Sequence, residues 1–197
     1  MNLPNKLTLA RLILVPVLII TYLFPYTYLG IHMPTFELLS AHLSLKDIIV
    51  FIIFAVASFT DFLDGYIARR DNLVTTFGKF VDPIADKLIV NTALLLLASS
   101  SRISILVPII MIARDTIVDA VRLVAIQNNK VIAASMLGKA KTVTQMIGII
   151  LVMLNNIVFG YLNIPMDQIM MFVATIISLV SGFEYFIKNK DFIMESM

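Results

Sequence analysis

Residues 61–86 read DFLDGYIARRDNLVTTFGKFVDPIAD, with carboxylates at Asp61, Asp64, Asp82 and Asp86 and glycines at Gly65 and Gly78. The segments on either side, 48–60 and 88–98, are almost wholly apolar. The four acids therefore sit at the ends of hydrophobic helices. At about 100° of helical turn per residue, Asp61 and Asp64 share one face, and so do Asp82 and Asp86. A short polar link around Arg69–Thr76 joins the two helices. This pattern predicts an antiparallel hairpin whose two acidic pairs face each other. Four carboxylates in a small volume repel one another unless cations neutralise them, and hard divalent ions with oxygen ligands are the matching class.

The rest of the chain is read outward from this hairpin. Its 197 residues are 59% hydrophobic and 14% charged, with a mean hydropathy of +0.95. Soluble domains carry about 25% charged residues, so the composition predicts an all-α integral membrane protein, one domain over residues 1–197. The net charge of +2, with no basic run, gives no case for a nucleic-acid partner. Cysteine is absent, which excludes disulfides and thiolate metal sites. Tryptophan is absent too, so an interfacial aromatic belt must be built from Tyr and Phe.

The opening MNLPNKLTLAR is polar for so apolar a chain. Pro4 and Asn5 favour a turn before a short interfacial helix that starts near Lys6 or Leu7. Asn5, Thr8 and Arg11 recur every three residues as one polar stripe, suited either to anchoring at the membrane surface or to touching a ligand. The apolar run from Leu12 to Leu29 has no cleavage-site pattern and reads as a retained first span. Residues 30–46 read as a loop, with His32 and His42 solvated. Apolar stretches near 47–68, 77–99, 103–126, 136–159 and 165–187 are each long enough for a bilayer core, which needs roughly 20 helical residues.

Six transmembrane helices put both termini on one side. That side carries Lys6, Arg11, Arg69, Arg70, Lys79, Lys130, Lys139, Lys141, Lys188 and Lys190, whereas the opposite ends carry Lys46 and Arg102. The positive-inside rule then places the termini and the acidic hairpin on the cytoplasmic side of the cell membrane.

Ionisable groups at membrane depth are costly and usually mark function. Asp115, Asp119 and Arg122, spaced i, i+4 and i+7, can equally pair to hold helices together. Such pairing explains the four acids of the hairpin poorly, since only Arg69, Arg70, Lys79 and Lys87 lie near them in sequence. Small residues beside the acids (Gly65, Ala68, Gly78) permit close helix packing or close approach of a ligand. Ion-coupled transporters also hold intramembrane carboxylates, but here the acids are confined to one set of helix ends.

The spacing Asp61-x2-Asp64-Gly65-x2-Ala68-Arg69-x8-Gly78-x3-Asp82-x3-Asp86 resembles the full signature of the CDP-alcohol phosphatidyltransferases, with no position missing. Eight residues at fixed spacing make this a specific signal. Two looser stretches resemble the bacterial members that make phosphatidylglycerophosphate. These are Asn2-Leu-Pro-Asn-Lys-Leu-Thr-Leu-Ala-Arg11, and the run from Arg114-Asp115 through AASMLGKAKT (133–142) to Gln145. Those bacterial members commonly have Arg-Glu where this chain has Arg114-Asp115. Cardiolipin and phosphatidylinositol phosphate synthases are near relatives within the family.

The resemblance implies a six-helix membrane enzyme, a homodimer, and transfer of the phosphatidyl group from CDP-diacylglycerol to glycerol 3-phosphate with release of CMP. It implies two divalent metal ions, Mg2+ or Mn2+, on Asp61, Asp64, Asp82 and Asp86, with Asp86 as the general base. A carboxylate tied to metals is a poor base, so the least engaged acid suits that role. Gly65, Ala68, Arg69 and Gly78 match the nucleotide end of CDP-diacylglycerol, with Asn5 and Thr8 within reach of its pyrophosphate. The acceptor's phosphate needs cations that the acidic hairpin lacks. Arg114, Arg122, Lys139 and Lys141 are the set available for it.

Overall fold

The computed structural model describes residues 2–39, 41–70, 75–127 and 135–190. Within these, the side chains of Phe62, Ala68, Arg69, Thr76, Phe77, Lys79 and Gln127 lie outside the description. Six long helices account for most of the fold: α1 (Leu3–Leu23), α2 (Leu45–Arg70), α3 (Thr76–Ser99), α4 (Leu106–Gln127), α5 (Met136–Met153) and α7 (Met166–Lys188). A single-turn α6 (Ile157–Gly160) and the strands β1 (Thr35–Leu38) and β2 (Ala41–Ser44) complete it.

Among the described residues, four helices are long and apolar enough to cross a membrane: α1, α2 over Leu45–Ile67, α5 and α7. The helices α3 and α4 have similar lengths, but each carries four charged side chains, Lys79, Asp82, Asp86 and Lys87 on one and Arg114, Asp115, Asp119 and Arg122 on the other. Large apolar side chains such as Ile20, Ile52, Ile117 and Phe183 are exposed. An apolar exterior of this kind belongs in lipid, where it carries no hydration penalty.

Three local expectations are corrected. The start of the chain is not a separate interfacial helix, because α1 runs unbroken from Leu3. Asn2 caps it by accepting the Asn5 N–H at 3.4 Å, and Pro4 sits in the first turn, where its missing donor is harmless. The segment 30–46 is not all loop. It contains an antiparallel hairpin pairing Thr35 with Ser44 and Leu38 with Ala41, and Ala41 and Leu43 bury against Ile157.

The third correction concerns the fifth span. Its apolar pattern suggests a helix to residue 159, but α5 ends at Met153 because Asn155 and Asn156 take left-handed conformations with φ of 49° and 54°. Asparagine enters this region more readily than most residues, and a helix cannot continue through it. His32 and His42 are both exposed, as the sequence suggests.

At the hairpin end of the molecule, Ser44 and Asp47 cap the start of α2 reciprocally. The Asp47 N–H donates to Ser44 Oγ at 3.1 Å, and the Ser44 N–H donates to Asp47 Oδ2 at 3.2 Å. Arg102 donates to Asp47 Oδ1 at 2.8 Å, fastening the end of α3 to the start of α2. The core is apolar and continuous, formed by residues such as Leu18, Phe54, Leu94, Met111, Ile149 and Met171. Gly148 lets α5 and α7 approach closely, since a Cβ there would stand 2.6 Å from Met171 Sδ.

The packing order positions the acidic hairpin. The helices α2 and α3 do not meet mainly along their own faces. Instead α1 lies against both of them, and its N-terminal half wedges between their acidic ends. The second half of the molecule is built on α7, against which both α4 and α5 pack.

Candidate active site

Two residues of α1, Thr8 and Arg11, meet the acids. Thr8 is 1% exposed and Arg11 0%, so neither is a surface anchor. Arg11 Nη1 lies 2.6 Å from Asp61 Oδ1, and Arg11 Nη2 donates to Asp64 Oδ2, so one guanidinium bridges both acids of α2. Thr8 Oγ1 stands 2.6 Å from Asp82 Oδ1, 3.1 Å from the Pro4 carbonyl and 3.4 Å from Asp64 Oδ2. Its single proton goes to the short contact with Asp82, a charge-assisted bond. Asn5 sits one turn earlier and accepts a hydrogen bond from Thr75 Oγ1 at 2.9 Å. Thr75 in turn caps α3 by accepting the Gly78 N–H at 3.0 Å.

Gly78 is needed by this junction. A Cβ at that position would stand 3.3 Å from Asp82 Oδ2 and Thr75 Oγ1 and 3.4 Å from Asn5 Oδ1. Asp64, 3% exposed, and Asp82 thus face the α1 side, while Asp61, with its side chain 39% exposed, and Asp86 open into a cleft. Among the described residues Asp86 makes no ion pair or hydrogen bond, which sets it apart from the other three acids.

The cleft encloses about 390 Å³ between α2, α3, α4, α5 and α7. Arg114, Arg122, Lys139 and Lys141, proposed from sequence for an acceptor phosphate, all line it together with Asp61 and Asp86. Their states differ. Lys141 is 3% exposed, and its Nζ donates to Asp115 Oδ2 at 2.6 Å. Arg114 Nη1 donates to Asp115 Oδ1 at 3.0 Å, which leaves its buried Nε–H without an acceptor among the described residues. The Arg122 guanidinium lies 5.6 Å over the Tyr185 ring, and its Nε–H is likewise unpaired there. Lys139 is exposed at the mouth.

Asp115, Asp119 and Arg122 do not pair with one another, but both acids hold helices together as the sequence allowed, Asp115 taking Arg114 of its own helix as well. Asp115 reaches α5, and Asp119 is ion-paired with Lys87 of α3. Gly65 is half-buried in α2 beside Asp64, away from the cleft lining, and the side chains of Ala68 and Arg69 lie outside the described residues.

The sequence marked Arg11 only as part of the α1 stripe and Lys87 only as a basic neighbour of the acids, and it assigned no site role to Asn91, Gln145 or Tyr185. The every-third-residue stripe on α1 was the available signal for Arg11. Nothing in a one-dimensional pattern marks Asn91, Gln145 and Tyr185 as neighbours of the acids.

The donor set suits a hard cation. Of the four carboxylates, Asp61 and Asp64 share one guanidinium while Asp82 and Asp86 have no ion pair among the described residues, so negative charge remains to be neutralised, and every candidate ligand atom is oxygen. Among the described residues no three acids already surround one point as ligands, and Arg11 keeps Asp61 and Asp64 bridged. The chemistry of the donors fits a divalent ion, and Arg11 stands among the atoms that would bind it.

Comparisons with known proteins identify the family. The chain is 42% identical to the CDP-diacylglycerol–glycerol-3-phosphate 3-phosphatidyltransferase of Bacillus subtilis (strain 168) over 188 residues, covering 95% of each chain. It is 35% identical to the protein of the same name from Rickettsia bellii, over 94% of this chain and 93% of that one. With the Salmonella choleraesuis protein, also of that name, the identity is 34% over 93% and 92%. Residues 1–180 match the CDP-alcohol phosphatidyltransferase family as a whole. The family match over residues 1–180 and the identity to these relatives show that the chain belongs to the CDP-alcohol phosphatidyltransferases.

Proposed function

We propose that this protein transfers the phosphatidyl group of CDP-diacylglycerol to glycerol 3-phosphate, giving phosphatidylglycerophosphate and CMP. One observation carries the reading: a single cleft has Asp61 and Asp86 on one wall and Arg114, Arg122, Lys139 and Lys141 on the other. Phosphoryl transfer asks chiefly for positioning and for neutralisation of charge. The names of the relatives support glycerol 3-phosphate as the acceptor.

A hydroxyl of the acceptor forms the new bond to the lipid-linked phosphorus, and the bond from that phosphorus to the bridging pyrophosphate oxygen breaks as CMP leaves. The hydroxyl proton goes to Asp86, the acid without a protein partner among the described residues and therefore the one free to accept it. Asp61, Asp64, Asp82 and Asp86 would hold two divalent ions, Mg2+ or Mn2+. When bound, such ions neutralise the pyrophosphate and the charge that develops on the leaving oxygen.

The acceptor's phosphate binds the opposite wall. Arg114 and Arg122 offer unpaired N–H donors, and Lys139 adds a mobile charge. Lys141 is already engaged by Asp115 and helps by fixing the wall's shape. Asn5, Thr8, Gly65, Ala68, Arg69 and Gly78 form the CDP-diacylglycerol end. In this reading α3 and α4 also span the bilayer, giving six spans with the termini and the cleft on the cytoplasmic side, and two copies associate as a homodimer.

The test is CMP release from CDP-diacylglycerol by purified protein with divalent metal. Glycerol 3-phosphate, inositol phosphate and phosphatidylglycerol are compared as acceptors, with Asp61→Asn as control. Release with glycerol 3-phosphate alone supports the proposal. Release with a different acceptor overturns the acceptor, and no release from folded protein overturns the reaction.

A further inference from the structure

We propose that Arg11 is a resident counter-cation that competes with the divalent ion for the carboxylates of Asp61 and Asp64. The inference rests on the metal reading given above and assigns a role to a residue which that reading does not use. Arg11 is the one basic residue within ion-pair distance of any of the four acids among the described residues. It takes one oxygen from each of two carboxylates on successive turns of α2. Being 0% exposed, it cannot leave for water without unpacking α1. A dication entering the cluster therefore meets a fixed positive charge bound to the same carboxyl groups.

The sign of Arg11's effect separates this role from simple alignment of ligands. The acids have other supports. Thr8 contacts both Asp82 and Asp64, and the Asn5–Thr75–Gly78 link ties α1 to the start of α3. Packing of α1 against α2 and α3 is carried by apolar residues such as Val15, Leu18 and Phe54. Removing the guanidinium therefore leaves the carboxylates close together while deleting a repulsion felt by the incoming ion. Metal affinity should rise. Were Arg11 only a strut holding two ligands in place, its loss would lower metal affinity. The resident charge would keep ion binding reversible and let the pyrophosphate oxygens of the substrate complete it.

The experiment measures Mn2+ binding by electron paramagnetic resonance on detergent-purified full-length protein, without lipid substrate. It compares the wild type with Arg11→Gln and Arg11→Lys. Deleting one unit charge a few ångströms from a dication should tighten Mn2+ binding about tenfold or more in Arg11→Gln. In Arg11→Lys, which keeps the charge but loses the two-pronged bridge, the affinity should lie between the two. The thermal midpoint in EDTA should fall for Arg11→Gln, and Mn2+ should raise it by more than in the wild type. If Arg11→Gln does not fold, Arg11→Lys against the wild type decides by the same sign. Equal or weaker Mn2+ binding in the folded variants overturns the counter-cation role and leaves the metal reading intact. Absence of saturable Mn2+ binding in every form, wild type included, overturns both.

Discussion

Asp115→Asn is the most informative single substitution away from the acidic hairpin. This carboxylate accepts from Lys141 at 2.6 Å and from Arg114 at 3.0 Å, joining α4 to α5 across the cleft. Lys141 is 3% exposed, so the amide variant strands an ammonium that has little access to water. Removing one partner of a fully buried pair costs about 3–5 kcal/mol. The Asp115 side chain is itself 15% exposed and borders the cleft, which lowers the expected cost to about 2–3 kcal/mol. For a chain of this length, that corresponds to a fall in thermal midpoint of roughly 4–12 °C.

The chain has neither Trp nor Cys, so far-ultraviolet circular dichroism in detergent is the suitable probe. The kinetic signature should be a higher KM for glycerol 3-phosphate with a smaller change in kcat, because the cationic wall loses its shape while the acids stay in place. Glycerol 3-phosphate should also stabilise Asp115→Asn more than the wild type, since its phosphate supplies the missing anion. Adding Lys141→Met removes the stranded charge and should return much of the stability but not the KM. An Asp115→Asn protein with unchanged midpoint and unchanged KM would refute the account of this wall.

Other expected outcomes are more direct. Asp86→Asn should abolish turnover while retaining CDP-diacylglycerol binding measured with radiolabelled lipid, and ordinary turnover would rule Asp86 out as the base. Gly78→Ala places a methyl group 3.3 Å from Asp82 Oδ2 and 3.4 Å from Asn5 Oδ1. It should slow CMP release and cost about 1–2 kcal/mol, the strain of overpacking less the helix propensity gained, read from the melting midpoint. Gly148→Ala drives a Cβ to 2.6 Å from Met171 Sδ at the α5–α7 contact and should cost about 1–3 kcal/mol. A second change, Met171→Ala, should relieve part of that cost; equal stability of Gly148→Ala and wild type would show that the contact is looser than described.

The readable part of this protein lies where local pattern and chemistry coincide. Apolar stretches located the long helices because a membrane span must be apolar over most of its length, and α2, α5 and α7 begin within about two residues of the expected starts. Ends were harder to read. The apolar run past residue 153 hides the turn that Asn155 and Asn156 make by entering the left-handed region. The hairpin at 35–44 escaped notice because its alternation is too short to separate from a loop, and its inner face is defined only by Ile157, more than a hundred residues away. In the site, the periodicity of 61–86 put two acids on one face of each helix, and intrahelical spacing needs no tertiary information.

By itself, then, the sequence determined that the chain is apolar enough for a membrane, that four carboxylates share two helix ends, and that cations gather on the later helices. Tertiary structure alone decided what stands between those groups. It placed α1 between α2 and α3, turning a stripe that resembled an interfacial anchor into a buried contact of Thr8 and Arg11 with the acids. It also chose the interhelical partners of the α4 acids, joining Asp115 to Lys141 of α5 and Asp119 to Lys87 of α3. The reason is physical. Helical periodicity sets which side chains share a face, whereas the partner that a buried charge finds depends on which helices pack together, and that follows from apolar contacts spread over the whole chain.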